Sequence, residues 1–176
     1  LNQKPQLLAL LKETASSGVR IEIEGGIVKK LKFAAKRKTR AFVAGMTGDD
    51  YDRVQSIASM WRNIEQSDQL ELETLLPANT EINAQDVLGG IDLMVKGCSK
   101  EDDLFIYLSG AAYQREDHCA FEKGFYDEDI AAILNQADCN TILLVVHADH
   151  SGSSHWLDVS QSGRAVITSC GLRQQT

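Results

Sequence analysis

A chain of 176 residues with 43% hydrophobic and 24% charged side chains is long enough to bury a substantial single-domain core, and its composition is that of an ordinary globular protein. The formal net charge of -7 argues against general nucleic-acid binding. No apolar run approaches the roughly 18 residues of a membrane span, and no basic-then-apolar signal sequence is present, so a cytoplasmic protein is expected.

The charge is unevenly placed. Lys29–Arg40 holds seven basic residues and no acid, leaving 11 basic against 25 acidic side chains elsewhere. That segment reads as a solvated connector or as a docking surface for an acidic partner or anionic lipid. The four cysteines, Cys98, Cys119, Cys139 and Cys170, form no CxxC pair. Paired-thiolate zinc and a disulfide framework are therefore not expected, and a reducing compartment fits. Leu1 in place of Met points to a piece of a longer chain or a processed product.

In chain order, Pro5–Ser16 reads as a helix, with Leu7, Leu8, Leu10 and Leu11 apolar and Gly18 as a stop. Val19–Glu24 alternates with period two, Gly25 and Gly26 signal a turn, and Ile27–Phe33 returns as the second arm of a hairpin. This opening is an appendage, a pairing partner for another chain, or part of the sheet.

From Arg40 the pattern becomes regular. Ala41–Met46 is a buried strand, Thr47–Asp50 a turn, and Asp52–Gln66 a helix with Val54, Ile57, Trp61 and Ile64 on one face. Asp49, Asp50 and Asp52 read as helix-starting carboxylates, with a divalent-cation site as the alternative. Leu70–Leu75 alternates, as a strand near the sheet edge does. Ala84–Gly97 is a second helix, with Val87, Ile91, Met94 and Val95 inward, and Leu104–Ser109 is a buried strand. Gly110–Phe125 reads as a long polar loop, a length often tied to function. Asp127–Gln136 is a third helix capped by Asp127. Ser151–Gly163 reads as a second loop, and Arg164–Ser169 as a last buried strand.

Thr141–Val146 is the most informative strand. Its unbroken apolar run predicts burial on both faces, and it opens into His147, Asp149, His150, Ser151 and Gly152. Alternating strand and helix predict a mostly parallel sheet flanked by helices in three layers. Right-handed crossovers then gather the polar strand tails on one edge, where open α/β sheets keep their sites.

The residues in this order resemble the caspase-like cysteine peptidases, metacaspases more than animal caspases. Asp86–Lys96 and Ser99–Gly110 look like the helix and strand that precede the family's S-G-H-G motif. His147–Gly152, H-A-D-H-S-G, lies over the family's D-A-C-H-S-G, and Arg164–Gln175 looks like the strand and loop that follow. The likeness covers roughly residues 38–176, with residues 1–37 as an extension, and implies a three-layer caspase-like fold whose smaller C-terminal portion would begin where this chain ends. It also implies a thiolate nucleophile served by a histidine, and both are replaced. The histidine position falls on Ala111 and the cysteine position on Asp149. The aspartate that in metacaspases helps select basic P1 side chains falls on His147. Ala111 moves no proton, and a carboxylate attack on an amide gives an anhydride that reverses readily. With Ser109, Gly110, Ala112, His147, His150, Ser151 and Gly152 lining the old pocket, the expectation is a pseudo-peptidase without cofactor. It would bind proteins, homo- or hetero-oligomeric, through a sheet edge or residues 29–40.

Two alternatives stand beside it. His147, Asp149, His150 and His155 are ligand types for zinc-like ions. H-A-D-H-S-G also looks like the tail of the H-x-H-x-D-H motif of metallo-β-lactamase-type hydrolases, although the first histidine of that motif falls on Val145. A metal-dependent hydrolase is therefore the second reading. An active cysteine peptidase with a relocated dyad, His118 with Cys119 or Cys170, is the third.

Overall fold

A computed structural model describes residues 19–24, 27–33, 38–64, 70–75, 82–153, 155–160 and 162–171. The chain divides into two units, Leu1–Arg37 and Lys38–Thr176. In the first, β1 (Val19–Glu24) and β2 (Ile27–Phe33) pair antiparallel, with a register shift between Glu22 and Ile23. The helix expected at Pro5–Ser16 and the turn at Gly25 and Gly26 lie outside the described residues.

The second unit is a three-layer α/β fold. Its five-stranded sheet runs β10 (Arg164–Thr168), β9 (Thr141–His147), β5 (Asp103–Ser109), β3 (Thr39–Gly45), β4 (Leu70–Leu75), every neighbouring pair parallel. The chain therefore starts at β3, steps out to the edge at β4, and reverses past β3 to build the other side. The reversal lies between β3 and β5.

One face of the sheet is covered by α1 (Tyr51–Ile64), whose Val54 and Ala58 are buried and whose Ile57 and Trp61 pack beside them on Ala41, Val43, Phe105 and Tyr107. The Trp61 and Phe105 rings lie 4.8 Å apart, tilted by 51°, a favourable aromatic geometry. The other face is covered by α2 (Ala84–Gly97) and α3 (Asp127–Leu134), with a short α4 (Trp156–Val159) beside them. α2 starts on a reciprocal cap: the Asn83 side chain accepts from Asp86 N–H at 3.0 Å, and the Asp86 carboxylate accepts from Asn83 N–H at 2.9 Å. Gly90 lets α2 close on the sheet, since a Cβ there would run into the Phe42 ring.

Three expectations change. β9 is not buried on both faces: Ile142, Leu144 and Val146 are buried toward α2 and α3, but Leu143 and Val145 are half-buried. On their side α1 packs over β3 and β4 rather than over β9. The last strand, β10, is an edge strand, and its Ile167 is 54% exposed. Residues 110–125 are no open loop. They form an antiparallel sheet of β6 (Ala112–Arg115), β7 (His118–Phe121) and β8 (Phe125–Tyr126). Cys119, Ala120, Phe121 and Phe125 of that small sheet are buried, and the two phenyl rings stack at 4.6 Å.

Candidate functional site

The site is built from the carboxyl ends of the parallel strands. Ser109 of β5 is in register with His147 of β9, so the residues that follow emerge side by side. The Gly110 N–H donates to the His147 carbonyl at 3.2 Å. Ala111 and Asp149 therefore leave neighbouring strand ends, two residues beyond that pair. Both are half-buried. The Ala111 carbonyl accepts from Glu122 N–H at 3.1 Å, which ties it to the small sheet.

The reversal point between β3 and β5, where open α/β sheets form a crevice, is stitched shut. Asp50 is buried, and its carboxylate accepts from the Ser109 hydroxyl at 2.5 Å, the Thr47 hydroxyl at 2.6 Å and the Thr47 N–H at 2.9 Å. Arg53 faces it at 3.5 Å. Asp50 thus starts the turn into α1, as expected of the acidic run, and also locks two strand tails together. Met46 N–H donates to the Ser109 carbonyl at 2.9 Å in the same junction.

On the β10 side the tail is closed by small polar groups. The Ser169 hydroxyl donates to the Ala148 carbonyl at 3.1 Å. Ser151 is buried, and its hydroxyl oxygen accepts from Cys170 N–H at 3.4 Å. The Ser151 carbonyl accepts from the Trp156 indole N–H at 2.7 Å. Gly152 lies against the β10 tail so closely that a Cβ would meet Gly171 Cα at 2.7 Å. His150 takes a left-handed backbone with φ of 53°, uncommon for a residue with a side chain. Gly152, Trp156, Ser160, Val166 and Thr168 line an open cleft of about 170 Å³.

The sequence-adjacent group His147, Asp149, His150 and His155 is not brought together as a ligand set. Among the described residues, the His, Cys, Asp and Glu side chains whose ligand atoms converge in a group of three or more are Asp117, His118 and His155, all within 4.8 Å. His155 stacks on His118, ring centroids 4.1 Å apart and planes 6° from parallel. Asp117 and His118 come from the β6–β7 hairpin, where the sequence predicts only a loop.

His118 is held from below by Asp127. Asp127 is fully buried at the start of α3. Its carboxylate accepts from Cys119 N–H at 3.1 Å and Glu128 N–H at 2.9 Å, and it faces His118 Nδ1 at 3.2 Å. Asp127 therefore anchors the hairpin as well as starting the helix; the capping contact to the residue before α3 is made by Asp129, which accepts from Tyr126 N–H at 2.8 Å. Burial works against a charge on His118, but the hydrogen bond and charge of Asp127, with Glu128 and Asp117, outweigh it and raise its pKa.

The Cys119 thiol does not form a dyad with His118. Cys119 is fully buried, and burial, with the Asp127 and Cys170 charges, pushes its thiol up to about 12. His118 and Cys119 are successive strand residues, which point to opposite faces. The Cys170 thiol donates to the Ala148 carbonyl at 3.2 Å.

No protein-family model matches the chain, and no curated protein does. Among solved structures, it is similar to protein GSU0716 from Geobacter sulfurreducens, at 15% identity and a TM-score of 0.48. The likeness covers 68% of this chain and 52% of that one, so the chain spans about half the length of that neighbour. No helix among the described residues is long and apolar enough to cross a membrane.

Proposed function

We propose that residues 38–176 are a caspase-like domain that has given up peptide cleavage and acts as a protein-binding module. The observation that carries this reading is the pair of adjacent strand ends bearing Ala111 and Asp149, where the resemblance calls for an imidazole and a thiolate. Neither Ala111 nor a carboxylate supplies the nucleophile and base that amide cleavage requires. A relocated dyad on Cys119 is disfavoured: that thiol is buried and pushed up to about 12, so it furnishes almost no thiolate near neutral pH. The exposed edge at β10, with Ile167 half out of the protein, is the surface for strand-by-strand pairing with a partner.

The test is a cleavage assay on peptides with basic and acidic P1 residues, with and without Ca²⁺, combined with timed alkylation read by mass spectrometry. We expect no turnover and slow labelling of Cys119. Labelling should be faster at Cys98, far from the strand tails, where a hydrogen bond from Cys139 outweighs burial and, with Arg40, holds the thiol below its usual range. Turnover that disappears in Cys119→Ser or Cys170→Ser would overturn the proposal.

A further inference from the structure

We propose that Asp117, His118 and His155 form a binding site for one divalent transition-metal ion of the zinc type, tying the segment after β9 to the β6–β7 hairpin. Asp127 sets the orientation of His118. Its buried carboxylate already accepts two backbone N–H groups and faces His118 Nδ1 at 3.2 Å. An anionic acceptor on that side makes Nδ1 the protonated nitrogen, leaving the lone pair of neutral His118 on Nε2. This is the arrangement of a metal-binding histidine backed by a carboxylate, which fixes the tautomer and the ring direction.

What Nε2 faces is the second observation. It lies 3.6 Å from one Asp117 oxygen, and His155 Nε2 lies 3.9 Å from the other. Both distances are too long for hydrogen bonds. His155 Nε2 is buried and has no hydrogen-bond partner among the described residues. One carboxylate is thus straddled by two imidazole nitrogens without a hydrogen bond between them. Lone pairs and carboxylate charge repel unless positive charge lies among them. A proton on either imidazole relieves one of these two contacts, whereas a single metal ion relieves both and draws the three ligand atoms together.

The dimensions are compatible. Tetrahedral zinc with bonds of about 2.0–2.1 Å spaces its ligand atoms roughly 3.3 Å apart, against the 4.8 Å limit seen here. Closing the set shortens the longest separation by about 1.5 Å and needs a turn of the outer ring out of its stack. Asp117 is 67% exposed at the hairpin tip, so its side chain can swing inward. Two imidazoles and one carboxylate select zinc-like ions over Ca²⁺ or Mg²⁺, which take oxygen ligands. The solvent side is left for water as the fourth ligand.

The test uses the untagged 176-residue chain, stripped with a chelator and titrated with Co²⁺ and then Zn²⁺. We expect one Co²⁺ per chain, visible bands of a four-coordinate site, and displacement by Zn²⁺. Asp117→Asn, an exposed change that leaves the core intact, and His155→Ala should each weaken binding at least about tenfold, with circular dichroism unchanged. Asp127→Asn, which acts through His118, should weaken it by about 10–100-fold. His147→Ala and His150→Ala should leave affinity unaltered. Absence of bound Co²⁺, binding that survives both Asp117→Asn and His155→Ala, or loss in His147→Ala would overturn the assignment. The peptidase assay does not depend on this outcome, so the two proposals fail separately.

Discussion

The two ends of the parallel sheet use the same residue types to different effect. At the amino end, buried Asp102 accepts from Lys38 N–H at 3.1 Å and Ser99 N–H at 3.0 Å, with Arg40 Nε 3.6 Å away. Asp103 accepts from Asn140 at 3.1 Å and from the Thr141 hydroxyl. Arg164 donates to the Leu134 and Ala137 carbonyls at 3.1 and 2.8 Å. These side chains bind backbone or strand starts and so fix the register of β3, β5, β9 and β10. At the carboxyl end, Asp50 and Asp127 are equally buried, but they hold loops and a small sheet. Among the described residues, both non-glycine positions with positive φ, Glu116 and His150, lie there, whereas buried nitrogens without a hydrogen-bond partner occur at both ends, His155 Nε2 here and Arg40 Nε at the other. Backbone strain collects at functional ends, and among the described residues it collects beyond β5 and β9.

The largest expected effect comes from the amino end. Asp102→Ala leaves the Lys38 and Ser99 N–H groups without their acceptor and the Arg40 guanidinium with Glu71 as its remaining anion. Leaving a buried donor unsatisfied costs about 1–3 kcal/mol for each group, together a large part of the roughly 5–15 kcal/mol of a typical domain. Urea unfolding at neutral pH measures it. Asp102 also has a pH signature. Burial alone would raise its pKa, but the Lys38 and Ser99 hydrogen bonds and Arg40 together lower it. A carboxyl more acidic in the folded state contributes stability that is complete above its ordinary value, about 3.9, and is lost as pH falls through the lower folded value. Asp102→Asn should therefore lower the neutral-pH midpoint and flatten the acid limb. An unchanged acid limb would show that Asp102 contributes nothing to the pH dependence of stability.

Gly152→Ala probes the opposite end. The added Cβ would meet Gly171 Cα at 2.7 Å and the Cys170 carbonyl at 2.8 Å, both backbone and neither able to fold aside as a side chain does. Overpacking of this kind costs about 1–3 kcal/mol. Because the contact joins a loop to an edge strand, we expect faster amide exchange at Cys170 and less change at Phe42 or Leu108. Equal acceleration everywhere would mean that the carboxyl end is as tightly built into the global fold as the amino end, and the contrast would fail.

Much of the fold is legible because it follows period. Ala41–Met46 and Leu104–Ser109 are apolar runs and are buried throughout, and the alternating Leu70–Leu75 is an edge strand. The failures share a cause: burial depends on what covers a strand, and that cover is not encoded in the strand. Arg164–Thr168 has the letters of a buried strand but no sheet neighbour beyond it among the described residues. β6 and β7 escape detection because Glu116 and Asp117 carry no glycine or asparagine turn signal, and because four-residue strands are too short to show a period. The histidines mislead in a related way. His155 is close in sequence to His147 and His150, but the turn at Ser151–Ser153, closed by Ser153 N–H to the Ser151 carbonyl at 3.1 Å, and the buried Trp156 indole carry it toward His118. No periodic signal marks His118 in the H-C-A-F strand, since Cys119, Ala120 and Phe121 are all buried and only His118 is half-buried.

Glu116 offers the smallest and most discriminating change. Its φ of 58° places a β-carbon in the left-handed region, at about 1–2 kcal/mol relative to the right-handed one. Glycine removes that penalty but adds freedom to the unfolded chain, which subtracts roughly 0.5–1 kcal/mol. Glu116→Gly should therefore stabilise the domain by at most about 0.5–1 kcal/mol, read as a small rise in the urea midpoint. The Glu116 carbonyl, which accepts from the Gln114 amide at 2.7 Å, is kept in the glycine variant, so the hairpin should retain its register. If the turn strain instead serves to aim Asp117 at the two imidazoles, the same variant will gain stability and lose Co²⁺ affinity together. A gain in stability with affinity unchanged would show that the strain belongs to the turn alone.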